Sequence, residues 1–137
     1  MSKVLLDTNI LVYSKDTSSV FHDASKKMFF NSDEHFITSK NLSEYYCVVT
    51  KGENSLLTPQ EALNDLTEFV VHCKILYPNQ YSYQKLIELL KTHRLKGLKV
   101  HDFEIASIAL ANGINKIVTF NKPDFRTISE LEVIVPN

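Results

Sequence analysis

The chain has 137 residues, of which 44% are hydrophobic and 23% charged, with 3 Gly, 4 Pro, no Trp and a formal net charge of -1. That length suits one domain over residues 1–137 with a real hydrophobic core, and the composition excludes wholesale disorder, collagen and low-complexity polymers. No apolar run approaches the roughly 18 residues that would span a membrane. A near-neutral charge gives no global basic field for nucleic acid.

The opening run Val4-Leu5-Leu6 is cut off by Asp7 and is too short for a signal peptide. Cys47 and Cys73 are too few for a disulfide scaffold and lack metal-ligand spacing. A reducing cytoplasm is the expected compartment. Between Lys91 and Arg126 there are seven bases (Lys91, Arg94, Lys96, Lys99, Lys116, Lys122, Arg126) against three acids, a local positive excess that an ordinary solvated surface also explains.

Lys3 to Asp7 reads as a buried first strand, and Asp7-Thr8-Asn9 could cap a short following helix. Phe21, Ala24, Met28 and Phe29 recur at helical spacing, predicting a helix over about 20–31 that Asn31-Ser32-Asp33 ends. His35 to Thr38 is a brief second strand. Ser39 is expected to cap a helix over 39–50 carrying Leu42, Tyr45, Tyr46 and Val49, followed by a loop from Gly52 to Ser55. Thr58-Pro59-Gln60-Glu61 is a strong helix start, with Thr58 as cap, Pro59 in the first helical position and Glu61 closing a capping box. Ala62, Leu63, Leu66, Phe69 and Val70 follow with a period near 3.6. Ile75 to Tyr77 is a third strand closed by Pro78, and a long helix runs from about Ser82 to His93 with Leu86, Leu89 and Leu90 inward.

Gly97 to Val100 reads as a connector and Asp102 as the opening of the next helix. Ile105, Ala106, Ala109 and Leu110 form that helix's apolar face, and Asn112-Gly113 stops it. Ile117 to Thr119 is a strand, Pro123 breaks the chain, and Glu132 to Val135 is a last strand. Short apolar strands alternating with helical patterns predict an α/β fold, a three-layer α/β/α arrangement around a parallel sheet of about four to five short strands.

In such a sheet, sites form at the carboxyl ends of strands. Asp7 ends the first strand, Thr119 and Asn121 follow a later one, and Glu44 and Asp102 lie near helix starts expected at the same edge. Taken alone, Asp102 is a helix cap, Glu44 an exposed helical residue, and Asn9 and Asn121 loop formers. Asp7 is harder to dismiss, because a bare charge beside a buried strand is costly and needs a donor or a metal. Clustered carboxylates raise one another's pKa, and a hard divalent cation removes that penalty. Mg2+ and Mn2+ favour oxygen ligands. The five histidines show no zinc-site spacing; His101, beside Asp102, is the one expected near the cleft. No GxGxxG, P-loop or GxSxG motif is present.

Four segments together resemble the PIN domain family, and within it the VapC-like ribonuclease toxins of toxin–antitoxin pairs. Val4-Leu5-Leu6-Asp7-Thr8-Asn9-Ile10-Leu11-Val12 resembles the family's opening motif, and Ser39-Lys40-Asn41-Leu42-Ser43-Glu44-Tyr45 the second. Val100-His101-Asp102-Phe103-Glu104-Ile105-Ala106 is similar to the third. Ile117-Val118-Thr119-Phe120-Asn121-Lys122-Pro123-Asp124-Phe125 is similar to the closing motif, where some relatives carry an acid at the position of Asn121.

The resemblance implies a Mg2+- or Mn2+-dependent endoribonuclease hydrolysing phosphodiester bonds. It assigns Asp7, Glu44, Asp102 and Asp124 as catalytic, metal-binding acids, with Thr8, Asn9, Thr119 and Asn121 in support. Lys99, Lys116, Lys122 and Arg126 could then offset phosphate charge around an acidic site. RNA as substrate, a cognate antitoxin and a homodimer are the partners it implies. Phe21, Phe29, Phe30, Tyr45, Tyr46, Val48 and Val49 are more apolar surface than one sheet face obviously needs, which fits a twofold mate. A stand-alone RNA-processing nuclease, another metal-dependent phosphoester hydrolase and a non-catalytic RNA-binding module are the alternatives.

Overall fold

The computed structural model describes residues 2–137; Met1 lies outside them. The elements in chain order are β1 (Lys3–Leu6), α1 (Thr8–Lys15), α2 (His22–Phe30), β2 (Glu34–Thr38), α3 (Ser39–Thr50) and α4 (Pro59–His72). They continue with β3 (Lys74–Leu76), α5 (Gln80–His93), α6 (Lys99–Ala111), β4 (Lys116–Val118), α7 (Lys122–Phe125) and β5 (Glu132–Ile134). The strands form one sheet in the order β3-β2-β1-β4-β5. All four pairings are parallel, with Leu5 opposite both Phe36 and Ile117.

Strand periodicity divides the core in two, because neighbouring side chains leave a strand on opposite faces. Val4, Leu6, Ile37 and Val118 join Ile10 and Leu11 of α1, Tyr45 and Val49 of α3, and Ala62 and Phe69 of α4. Leu5, Phe36 and Ile117 face the other way and meet Leu89 of α5, Phe103, Ile105, Ala106 and Ala109 of α6, and Phe125 of α7. The result is the predicted three-layer α/β/α sandwich. Its central strand is buried on both sides, which is why residues 4–6 form an unbroken apolar run rather than an alternating one.

The helix starts follow local chemistry, with corrections to the sequence reading. Thr58 caps α4 in the predicted box with Glu61, and Pro59 sits in the first turn. At α3 the cap is Thr38 rather than Ser39: Thr38 keeps the extended backbone of β2, and its hydroxyl accepts from Asn41 N. Asn79 caps α5, which therefore begins at Gln80, before the expected Ser82. Pro123 does not break the chain but lies in the first turn of α7, where its missing N–H costs nothing. In α4, Leu63 and Val70 are 49% and 52% exposed, so the buried stripe is narrower than the pattern implied. Gly113, at a φ of +74°, turns the end of α6 towards β4. None of the described helices is long and apolar enough to cross a membrane.

Candidate active site

The chain runs from β1 outward through β2 to β3, then returns to the other side of β1 with β4. The order of strands therefore reverses between β1 and β4, and a crevice opens there beyond their carboxyl ends. Asp7 follows β1 directly and Thr119 follows β4, and Asp7 N donates to Val118 O at 3.0 Å to join the two strand ends.

Asp7 is the N-cap of α1. Its Oδ1 accepts from Thr8 N at 2.8 Å, and its Oδ2 accepts from Thr119 Oγ1 at 2.8 Å and from Asn9 Nδ2 at 3.3 Å. Thr119 Oγ1 in turn accepts from Asn9 Nδ2 at 3.1 Å and from Asn121 N at 3.0 Å. Asn9 Oδ1 completes the ring by accepting from Phe120 N at 3.3 Å. Thr8, Asn9, Thr119 and the backbone of Asn121 thus hold one carboxylate in a fixed orientation. Burial pushes Asp7 up to about 6, against the hydrogen bonds from Thr119 and Thr8, and the charges of Glu44 and Asp124 add to the rise.

Asp102 is not a cap. Helix α6 starts at Lys99, inside the segment expected to be a connector, with Leu98 in the cap position and no side-chain cap bond. Asp102 therefore sits in the first turn, where the helix dipole favours an acid. It too is raised to about 6, first by burial and then by Asp124, Asp7 and Glu44, with Lys99 opposing. Asp124 lies in α7 with Lys99 Nζ at 3.8 Å. Glu44 projects from the second turn of α3 and is exposed.

A cleft of about 190 Å³ is lined by Asp7, Thr8, Asn9, Glu44, Asp102, Asn121 and Asp124, together with Val12, Tyr13 and Val48. The structure brings together all four sequence-predicted acids and both asparagines there, with Thr119 beneath them. His101 is exposed and is not among the lining residues. Lys116 starts β4, at the opposite edge of the sheet, where its Nζ donates to Ser2 Oγ at 3.0 Å. Its expected part in offsetting phosphate charge is not met.

Sequence reasoning assigned no role to Asn41, which is fully buried. Its Oδ1 accepts from Thr38 N and Thr38 Oγ1, and its Nδ2 donates to Thr8 Oγ1 at 3.0 Å. It ties the helix bearing Glu44 to the turn bearing Asp7. The signal was a Thr three residues ahead of a capping-competent side chain, hidden because Asn replaces the usual Glu or Gln.

The donor set of the cleft is all oxygen and strongly acidic, which fits a hard divalent cation and not zinc or copper. Among the described residues, no three Asp, Glu, His or Cys side chains stand in position to hold one ion together.

A family model described as PIN domain matches residues 4–131. No curated protein matches the chain. Among solved structures, it is similar to VapBC2 from Rickettsia felis, bound to a DNA fragment from its promoter. That likeness has 22% identity and a TM-score of 0.75, over 98% of this chain and 99% of that one. DNA-bound VapBC from Salmonella typhimurium gives 22% identity and a TM-score of 0.73, over 98% of each chain. Mycobacterium tuberculosis VapC20, a Sarcin-Ricin loop cleaving toxin, gives 10% identity and a TM-score of 0.71, over 91% of this chain and 95% of that one. At these identities the likeness shows the fold.

Proposed function

The chain belongs to the PIN domain family, and from that premise we propose that it is a metal-dependent endoribonuclease, the toxin of a toxin–antitoxin pair. The observation that carries this reading is the cleft itself, where four carboxylates from four separate segments meet at the strand-order reversal. Burial first and mutual repulsion second raise Asp7 and Asp102 and make their charged forms costly in the empty site, a cost that a structural role does not explain.

Asp7, Glu44, Asp102 and Asp124 are the residues we assign to hold Mg2+ or Mn2+, directly or through water. A divalent cation held there would supply charge stabilisation for a phosphodiester and would make a water easier to deprotonate into a nucleophile near neutral pH. Asp7 is the fixed anchor, locked by Thr119, Asn9 and Thr8 N so that its oxygens need not reorganise. Asn121 lines the cleft with an amide where some relatives carry an acid, so it adds a dipole and no charge. Asp124 is then the fourth acid of the set, steered by Lys99.

The reading places the protein in the cytoplasm, as a single domain over residues 1–137 and as a homodimer. The structure trims the apolar surplus behind the dimer: Tyr45 and Val49 are core, while Phe30, Val48 and Phe21 stay 79%, 49% and 41% exposed. Sedimentation at micromolar concentration should give twice the mass of one chain. The relatives of similar fold in Rickettsia felis and Salmonella are toxin–antitoxin complexes, which supports an antitoxin here. We assign it a segment bearing arginine, able to pair with the cleft carboxylates in bidentate geometry. Apolar anchors on that segment fit the early helices, where Phe29 and Phe30 of α2 line a hollow of about 120 Å³ that Phe69 of α4 closes.

The test is cleavage of structured RNA with Mg2+. Activity should vanish with EDTA and in the Asp7→Asn, Asp102→Asn double variant. Equal cleavage by wild type and double variant would show that the nuclease is a contaminant.

A further inference from the structure

One wall of the acidic cleft is aromatic. Tyr13 lines the cleft from α1, one turn beyond Asn9 and on the same helix face. Behind it stand Phe21 and Phe120, with ring centroids 5.2 and 5.6 Å from that of Tyr13 and 4.5 Å from each other. Phe120 is held in place by the site itself, since its backbone N donates to Asn9 Oδ1. Phe21 caps α2 without a side-chain cap bond and remains 41% exposed. Tyr13 and Phe120 are also only partly buried. A cluster made only to close the corner between α1 and α2 has no need to present one of its rings, Tyr13, to the cleft.

The cleft contains a second apolar wall and an uncommitted polar group. Val48, one turn beyond Glu44 on α3, lines it while 49% exposed. Among the described residues, neither the Tyr13 hydroxyl nor the Asn121 side-chain amide makes a hydrogen bond. The cleft therefore combines carboxylates suited to a cation-bridged phosphate with apolar walls from Tyr13 and Val48 and polar groups free to bond. A nucleotide has the same two parts.

We propose that the Tyr13 side of the cleft is a nucleobase subsite, on which one unstacked base of single-stranded RNA lies against the Tyr13 ring while the adjoining phosphate meets the carboxylates. The proposal deepens the ribonuclease reading and rests on it for the position of the phosphate. Phe21 and Phe120 keep the Tyr13 ring from turning away. Stacking on one face tolerates any base, and the Asn121 amide, which lines the same cleft and has both a donor and an acceptor, is free to meet a base edge. Duplex RNA keeps its bases stacked inside and cannot use the subsite, so unpaired loops and bulges are the preferred substrates.

The test uses a short single-stranded oligoribonucleotide carrying one 2-aminopurine, mixed with the full chain and Mg2+ and followed in stopped flow before turnover. Stacking quenches the probe. Wild type and Tyr13→Phe should quench it with similar affinity, whereas Tyr13→Leu should bind about 10-fold more weakly, the loss expected of one stacked base. Steady-state cleavage should show the same change in KM with kcat much less affected. An abasic site moved along the oligonucleotide should cost wild type a similar factor at one position, a measurement that needs no variant to fold. Quenching by wild type without cleavage would leave the subsite standing and sink the ribonuclease reading. Cleavage by wild type without quenching, equal affinity of the Leu and Phe variants, or indifference to abasic sites would overturn the subsite while leaving the nuclease intact.

Discussion

Thr119 Oγ1 donates to Asp7 Oδ2 at 2.8 Å, joining residues 112 positions apart in the chain. The bond spans the ends of β4 and β1 and lowers the pKa of a carboxyl that burial raises. Thr119→Val keeps the shape of this fully buried side chain and removes both the donor and the acceptor used by Asn9 and Asn121. The loss of these bonds should cost about 1–3 kcal/mol in urea unfolding. Asp7 should titrate higher than in the wild type. RNA cleavage should fall, with its acid limb moved to higher pH.

The acid limb of the wild type follows from the same groups. Asp7 and Asp102 both sit at about 6, so the deprotonated pair needed for a cation is lost as pH falls through that value. Activity and Mg2+ affinity should both drop steeply between pH 7 and about 5. The metal-free protein should behave in the opposite sense. Its native carboxyls bind protons more tightly than unfolded ones at 3.8, so the native state holds more protons between about 4 and 6. Stability of the apo form is then highest below that window and declines as pH rises through about 6, by up to about 3 kcal/mol for Asp7. Urea midpoints at several pH values in EDTA would reveal the slope. A midpoint that rises with pH across the window contradicts it.

Neutralising one acid separates binding from folding. Asp7→Asn and Asp102→Asn should each lower cleavage by ~100-fold or more. Neither should lower the melting temperature in EDTA, because repulsion and the burial of a charge are relieved. Added Mg2+ should raise the wild-type melting temperature, by the equivalent of about 2.7 kcal/mol at a hundred times its Kd. The variants should respond far less. Differential scanning calorimetry with and without Mg2+ checks both halves. A variant that melts early in EDTA would show that its lost activity reports lost structure.

Much of this architecture was legible in the sequence because it rests on local signals. Val4-Leu5-Leu6, Ile117-Val118 and the Thr58 capping box each declare themselves within a few residues. That the four acids share one cleft was legible for Asp7, Glu44 and Asp102 from their places after a strand or near helix starts, and for Asp124 only through the family resemblance. What failed was what depends on three dimensions. Pro123 reads as a breaker in sequence but starts a turn of helix in the fold. Lys116 belongs to a positive stretch yet stands at the far edge of the sheet. Tyr13 belongs to none of the sequence motifs' site residues, and only its packing against Phe21 and Phe120 and its place in the cleft reveal it. Asn41 was quoted within a motif, but its bond to Thr8 spans 33 residues and leaves no periodic trace.

That bond supports the last prediction. Asn41 closes the start of α3 through Thr38 and holds Thr8, the residue after Asp7, through its amide. Asn41→Ala removes the box and strands the Thr8 hydroxyl in a buried place. It should cost about 2 kcal/mol of stability. It also frees the helix carrying Glu44 from the turn carrying Asp7. Cleavage should fall well below wild type even at temperatures where the variant is fully folded by circular dichroism. Asn41→Asp discriminates between capping and coupling. Its carboxylate still accepts from Thr38, and the Thr8 hydroxyl can turn to donate to it. The added charge beside the acid cluster should push Asp7 higher and move the acid limb of the activity profile upward. If both variants melt like wild type and cleave at the wild-type rate and pH, Asn41 does no more than fill space.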